Sequence, residues 1–240
     1  MEYHPISSLV NRALIDFDIP SSGEQYIDMN NIQLYVRAKI IRPGAGNNIT
    51  EDTTIASVNL LLHSLFSQVD ISLNGTLIFN STNTYPYRAM LETLLSYGSD
   101  AKASQLTSEM YYKDDSGRMD VYRICNVGAD RPKTGHVARR ASREFDMIGC
   151  IHADIFFQER YMLNEVGIKV HLVRSKDVFC LMGDMPADEK LEIMHASLSA
   201  RKEKISPSVF LAHAQALQNS TAKYQTKRTF CKALAIPQNF

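Results

Sequence analysis

The sequence predicts an all-β fold, a two-sheet β-sandwich carrying helical decorations, and three observations predict it. Short stretches alternate apolar and polar residues with a period of two, as in Leu14-Ile-Asp-Phe-Asp-Ile19, where Ile15, Phe17 and Ile19 share one face. An Asn74-Gly75 dipeptide stands between two such stretches and supplies both positive-φ positions of a tight hairpin turn. About eight or nine strands of this kind recur between turn-rich segments, the number that a two-sheet sandwich uses. Of the 240 residues 45% are hydrophobic, enough to fill a core of that size.

Taken in order, the first strand is Leu14–Ile19, ended by Pro20. A second covers residues 33–42, with Leu34, Val36, Ala38 and Ile40 on one face, and Pro43-Gly-Ala-Gly-Asn-Asn48 is a loop by its turn residues. Over residues 55–66, Val58, Leu61, Leu62 and Leu65 fit a short helix or an irregular buried segment better than a strand. The hairpin follows, with Val69, Ile71 and Leu73 on one face of its first arm, and Leu77, Ile78 and Phe79 lead back along its second.

At Tyr85 the period changes from two to about 3.6. Tyr87, Met90, Leu91, Leu94 and Leu95 fall on one helical face with Arg88 and Glu92 opposite, and Gly98 stands where a left-handed stop is expected. A helix hung from a strand edge covers the sheet or builds a subunit contact. Residues 100–112 read as a second short helix, broken by Lys113-Asp-Asp-Ser-Gly117. Residues 118–143 read as a long surface loop with Arg131, Lys133, His136, Arg139, Arg140 and Arg143. Arg139-Arg140-Ala141-Ser142 has the form of a phosphorylation site, but no aromatic residues interleave with the basic ones, so a solvated loop is preferred over a phosphate-binding patch.

Order returns near Phe145. Residues 149–157 alternate as a strand with Ile151, Ala153 and Ile155 inside, which turns His152 and Asp154 to solvent. After a turn over 158–165, residues 167–174 form a strand with Ile168, Val170 and Leu172 inside, and 178–182 a shorter one closed by Pro186. Residues 190–204 change face midway, from Leu191 and Ile193 to Met194, Ala196, Leu198 and Ala200, as a bulged strand does. Ser206 as N-cap and Pro207 in the first turn open a helix that runs to about Gln218. Residues 223–236 read as one more strand, with Tyr224, Thr226, Arg228, Phe230, Lys232 and Leu234 on one parity.

Lys plus Arg and Asp plus Glu each number 26, so no net charge draws the chain to nucleic acid or an anionic membrane. No basic start leads into an apolar run, and no stretch of about 18 apolar residues occurs, so neither a signal peptide nor a membrane span is expected. Cys125, Cys150, Cys180 and Cys231 are far apart and read as reduced thiols of an intracellular protein. The glycosylation-type triplets at Asn48, Asn74, Asn80 and Asn219 are then chance. There is no Gly-rich phosphate loop, nucleophile elbow or pair of carboxylates at a strand end. Asp114, Asp115, Asp184, Asp188 and Glu189 read as solvated turn acids. His152, Asp154 and His171 are the nearest approach to a metal set, with little local support. Neither catalysis nor a cofactor nor a metal is expected.

Several strings carry a more specific signal: Tyr3-His-Pro-Ile-Ser-Ser8, Leu62-His-Ser-Leu-Phe-Ser-Gln-Val-Asp70, Ser72-Leu-Asn-Gly75, Ser81-Thr-Asn-Thr-Tyr-Pro-Tyr-Arg88, Leu94-Leu-Ser-Tyr-Gly98, Val173-Arg-Ser-Lys-Asp-Val-Phe-Cys-Leu-Met182 and Ser206-Pro-Ser-Val-Phe-Leu-Ala-His213. Together, and over nearly the whole chain, they resemble the double jelly-roll, hexon-like major capsid proteins of Polinton (Maverick) elements and adintoviruses. The resemblance implies a jelly-roll β-sandwich over residues 10–204, the first half of a double jelly roll. It implies a connecting helix over 205–219, and over 223–240 the first strand of an incomplete second jelly roll. Family members continue beyond the point matching Phe240, so it also implies a chain truncated at its C-terminus. The function implied is that of a virion protein, intracellular before assembly. Its subunits form homotrimeric capsomers that meet neighbouring capsomers or a penton protein in an icosahedral shell, with no specific nucleic acid bound. The expected subunit contacts are Tyr85, Tyr87, Arg88, Leu91 and Tyr97 on the helix after the hairpin. Two other jelly-roll functions stay open: a carbohydrate- or protein-binding module, against which the absence of Trp argues, and a cupin-type metalloenzyme, for which His152 and His171 are the candidates.

Overall fold

The computed structural model describes residues 1–6, 8–9, 13–21, 23–41, 55–113, 144–183, 189–226, 228–232 and 234. The loops expected at 43–48 and 118–143 lie outside the described residues, as do Cys125, Asp114, Asp115, Asp184, Pro186 and Asp188.

Ten strands are described: β1 (Glu2–Tyr3), β2 (Leu14–Ile19), β3 (Gln25–Ile41), β4 (Ile55–Ser57), β5 (Phe66–Leu73), β6 (Thr76–Asn80), β7 (Phe145–Cys150), β8 (Ile168–Arg174), β9 (Leu181–Gly183) and β10 (Lys190–Lys204). Between and after them lie the helices α1 (Leu61–Ser64), α2 (Tyr85–Ser96), α3 (Ser99–Ala103), α4 (Asp177–Cys180) and α5 (Pro207–Asn219). One four-stranded sheet has the order β1-β10-β3-β7 and the other β2-β8-β5-β6, while β4 and β9 pair separately. Every pairing is antiparallel, and the pairs β1–β10, β2–β8, β3–β7 and β5–β6 are nested one inside the next. A long hairpin of eight strands rolled into two facing sheets has this connectivity, so the fold is a jelly roll.

The core lies between the sheets, where Ile15, Phe17 and Ile19 of β2 and Ile168, Val170 and Leu172 of β8 are buried with Leu34, Val36 and Ala38 of β3. Asn74 and Gly75 have φ of 47° and 81°, the left-handed pair that the hairpin requires, and Val69 and Ile71 face inward. The register of β5 and β6 shifts between Ile71 and Ser72, so the second arm does not alternate simply. In β10, shifts between Ile193 and His195 and between Ser199 and Arg201 explain its change of parity. The first puts Met194 outside and brings Ala196 and Leu198 to the same buried face as Leu191 and Ile193.

Several sequence expectations are corrected. The strand expected from residue 33 begins at Gln25, because Tyr26, Ile27, Asp28 and Met29 are all buried and leave no alternation to read. Residues 55–57 form a strand before the short helix α1. The strand expected over 178–182 is mostly helix, with α4 preceding β9. The strand expected over 149–157 stops at Cys150, and residues Asp154–Phe157 form a 3₁₀ helix, although Ile151, Ala153 and Ile155 are buried as expected. Gly98 has φ of −72° and is no left-handed stop, since α2 ends by turning extended at Tyr97.

The described residues of 223–234 form no strand in this chain and instead lie as a strap along the surface. Its backbone carbonyls are held from below: Lys223 by Arg160 (2.9 Å), Gln225 by Gln158, Thr229 by Arg88 (3.3 Å) and Cys231 by the Thr84 hydroxyl (3.3 Å). Helix α5 has no buried residue and touches the sandwich through His213, whose Nδ1 lies 3.0 Å from the Tyr26 hydroxyl.

Cys150, Cys180 and Cys231 are free thiols. Burial first, and then the nearby Asp177 charge, push the Cys180 thiol up to about 12. Cys180 therefore stays unmodified by iodoacetamide at pH 8.5 in the folded chain and reacts once urea unfolds it. Labelling at equal rates in both states, read by peptide mass spectrometry, would contradict this burial.

Candidate functional site

Helix α2 leaves the edge strand β6 through a tight turn in which Thr82 and Asn83 have φ of 45° and 59°. The Asn80 side chain accepts the Thr82 N–H (2.8 Å), and Pro86 in the first helical turn needs no N–H partner. The turn fixes which face of α2 meets the sandwich. Tyr85, Pro86, Arg88, Ala89 and Thr93 are buried, with Arg88 only 4% exposed. Tyr87 and Leu91 are 52% and 51% exposed, Leu95 is 84% exposed, and Leu94 lies beside them. The sequence leaves open whether the apolar stripe covers the sheet or offers a contact, and the structure turns that stripe outward and Arg88 inward. Periodicity identifies which residues share a face, but the polar face is the inner one because it meets a set of buried polar partners. The outer stripe extends onto α4, where the Tyr87 and Phe179 rings meet edge to face at 5.9 Å.

The inner face rests on four polar side chains from outside the helix, His63, Glu109, His152 and Asp154. Arg88 donates through Nε to Glu92 (2.8 Å) and through its terminal nitrogens to Asp154, while its guanidinium lies 4.9 Å over the Phe79 ring. Glu92 also takes a bond from His152 Nδ1 (2.8 Å). The Tyr85 hydroxyl lies 2.9 Å from His63 Nδ1 and accepts the backbone N–H of His152 (3.2 Å). His63 Nε2 lies 3.2 Å from Glu109, and the His63 and His152 rings meet edge to face at 4.6 Å. A carboxylate only accepts, so Nε2 of His63 carries the proton and Nδ1 accepts from the Tyr85 hydroxyl.

Local structure delivers each member. Asn59 bonds the backbone of Tyr112 in both directions (2.6 and 2.9 Å), and the Ser108 hydroxyl holds the carbonyl of Ile148 (2.9 Å). These ties set the 3₁₀ helix Gln105–Glu109 between α1 and β7 so that Glu109 reaches His63.

Electrostatics follow from burial and pairing. Full burial pushes the His63 imidazole down against the pull of Glu109 and keeps it neutral. Burial drives the Tyr85 hydroxyl far up. Burial opposes ionisation of Glu92, but the His152 bond and the Arg88 charge outweigh it and hold the carboxyl below its usual range. Burial likewise opposes the Arg88 charge, and Asp154 and Glu92 more than restore it.

Of the expected contact residues, then, Tyr85 and Arg88 sit inside and have no surface to offer a neighbour. Tyr87 and Leu91 stand on the outer stripe, and Tyr97 is half-buried beside a groove between α2 and the strap. His152 is buried rather than solvent-facing, because the chain leaves β7 before it. His171 pairs with Asp16 across β8 and β2 (2.5 Å), so it never meets His152 and Asp154. The cluster that does form, around His63, Glu109 and His152, escaped the sequence reading. The one available signal was a histidine inside the apolar run Leu60-Leu-Leu-His-Ser-Leu65.

Gly149 makes room for this cluster, since a Cβ there would overlap the Glu109 side chain. Gly149→Ala is expected to destabilise the chain by about 1–3 kcal/mol, the usual cost of overpacking. A urea midpoint equal to that of the parent chain would show that Glu109 is not held where the structure places it.

No protein-family model matches the chain. The uncharacterized protein F54H12.2 of Caenorhabditis elegans is 27% identical over 172 residues, which are 69% of this chain and 38% of that protein. Among solved structures, the Sputnik virophage structure aligns with a TM-score of 0.60 at 10% identity, over 86% of this chain and 48% of that one. The Faustovirus major capsid protein aligns with a TM-score of 0.53 at 10% identity, over 90% of this chain and 56% of that one. The PBCV-1 Vp54 structure fitted into Sputnik gives 0.52 at 8% identity, over 90% and 44%. The fold thus defines the class: an all-β jelly-roll protein with the architecture found in viral major capsid proteins. The chain spans about half the length of those solved chains and less than half of the curated relative.

Proposed function

We propose that this chain is a structural subunit of a virion shell, one jelly roll of a double jelly-roll, hexon-like major capsid protein of the Polinton and adintovirus type. The observation that carries the reading is the orientation of α2. A helix with its polar side chains bonded inward and Tyr87, Leu91, Leu94 and Leu95 turned outward is built to bury that stripe against another surface. The shared fold supports the same reading, as does the match of this chain to about half of each solved capsid chain. In this account residues 10–204 form the first jelly roll and α5 is the connecting helix. The segment from residue 223 is then the first strand of a second jelly roll, which takes its ladder partners from that domain. Three copies form a capsomer, and capsomers tile the shell with each other and with a penton protein.

The function is one of complementary surfaces rather than a reaction. Negative-stain electron microscopy of the longest product of the gene, purified after expression, tests it. Pseudo-hexagonal capsomers or closed shells are expected, and a field of dispersed monomers at high concentration would overturn the assembly role.

A further inference from the structure

We propose that His63, Glu109 and His152 form a buried binding site for a divalent transition-metal ion of the zinc class, beneath α2. One donor atom from each of the three lies within 4.8 Å of the other two, and all three residues are buried. Two imidazoles and one carboxylate are a zinc donor set that leaves a position for water. The separation of 3.2 Å between His63 Nε2 and the Glu109 carboxylate already matches the ligand-to-ligand edge of a zinc tetrahedron, about 3.3 Å for bonds of about 2.0–2.1 Å.

The surroundings are those that a metal-bound histidine needs. Each ring has one nitrogen held by an orienting partner: Nδ1 of His63 by the Tyr85 hydroxyl at 2.9 Å, and Nδ1 of His152 by Glu92 at 2.8 Å. Nε2 of each ring is then the ligating nitrogen. On binding, the His63 proton moves from Nε2 to Nδ1, and the Tyr85 oxygen becomes its acceptor. Gly149 gives the Glu109 carboxylate its place, which any Cβ would take. The formal charges around the site are those of Glu92, Glu109 and Asp154 against Arg88, an excess of negative charge that a divalent cation balances. His152 lines the groove between α2 and the strap, which supplies an entry path. The three ligands come from α1, the 105–109 segment and the stretch after β7, so a bound ion ties together the floor under α2. The proposal stands independently of the capsid reading.

Zinc itself is the probe. The chain, dialysed against Zn²⁺ and then against metal-free buffer, is expected to retain one equivalent by elemental analysis and to melt higher, with EDTA reversing both. Co²⁺ in place of Zn²⁺ should give visible d–d absorption of a tetrahedral or five-coordinate site. Glu92→Gln, at a partly exposed position that orients a ligand without being one, should weaken Zn²⁺ binding about 10–100-fold by calorimetry. His152→Gln should abolish it, with circular dichroism confirming the fold. If the folded parent chain retains no Zn²⁺, shows no shift in melting temperature and stays colourless with Co²⁺, the cluster is a hydrogen-bonded triad only and the proposal is overturned. Binding unchanged in His152→Gln would overturn it equally.

Discussion

Arg88→Ala is expected to destabilise the chain by about 3 kcal/mol. Breaking a buried ion pair by removing one partner typically costs about 3–5 kcal/mol, because the remaining charge stays out of water. The lower end applies here, since Glu92 and Asp154 each keep some solvent contact and can be partly rehydrated. The loss has a second consequence, because Arg88 also holds the Thr229 carbonyl. Releasing that bond frees the strap, so limited proteolysis near residues 223–231 should accelerate in Arg88→Ala. Arg88→Lys keeps the charge but not the forked geometry that reaches Glu92 and Asp154 together, and should fall between the two. A urea denaturation series measures all three. A change of less than about 1 kcal/mol in Arg88→Ala would mean that Arg88 is a solvated surface residue rather than the buried centre of these ion pairs.

The double substitution Leu91→Glu, Leu94→Glu is expected to abolish assembly while leaving the fold unchanged. Burying what remains exposed of Tyr87, Leu91, Leu94 and Leu95 contributes roughly 1–2 kcal/mol for each residue. Glutamates at two of these positions remove that gain and place carboxylates in an apolar contact, at several kcal/mol each. A loss above about 4 kcal/mol weakens association by more than about 1,000-fold. Leu91 and Leu94 are already about half exposed in the folded chain, so the melting temperature should change far less than association does. If the variant unfolds instead, the stripe belongs to the monomer's core and the outward orientation of α2 is contradicted.

These two predictions rest on the feature least legible in the sequence. The alternation of β2 and β8, the Asn74-Gly75 turn and the change of face in β10 were readable because each is a local consequence of backbone geometry. The count of strands and their turns then led to a sandwich, and the jelly-roll connectivity agrees. The orientation of α2 was not readable from its period, because an inner face can be polar when partners await it. Those partners, His63, Glu109 and His152, are far apart in sequence and meet only when α1, the 105–109 segment and the chain after β7 converge. Consecutive burial hid the start of β3, where Tyr26 to Met29 are enclosed on both faces. Apolar residues at every second position also misled at 151–157, since a 3₁₀ turn can bury them as well as a strand does.

The mass of the protein in solution, by light scattering on the longest product of its gene with and without Leu91→Glu and Leu94→Glu, tests the central claim most directly. The account predicts a trimer or larger assembly for the parent and a folded monomer for the variant. A parent that is a stable monomer at every concentration, or a variant that assembles as the parent does, would contradict it.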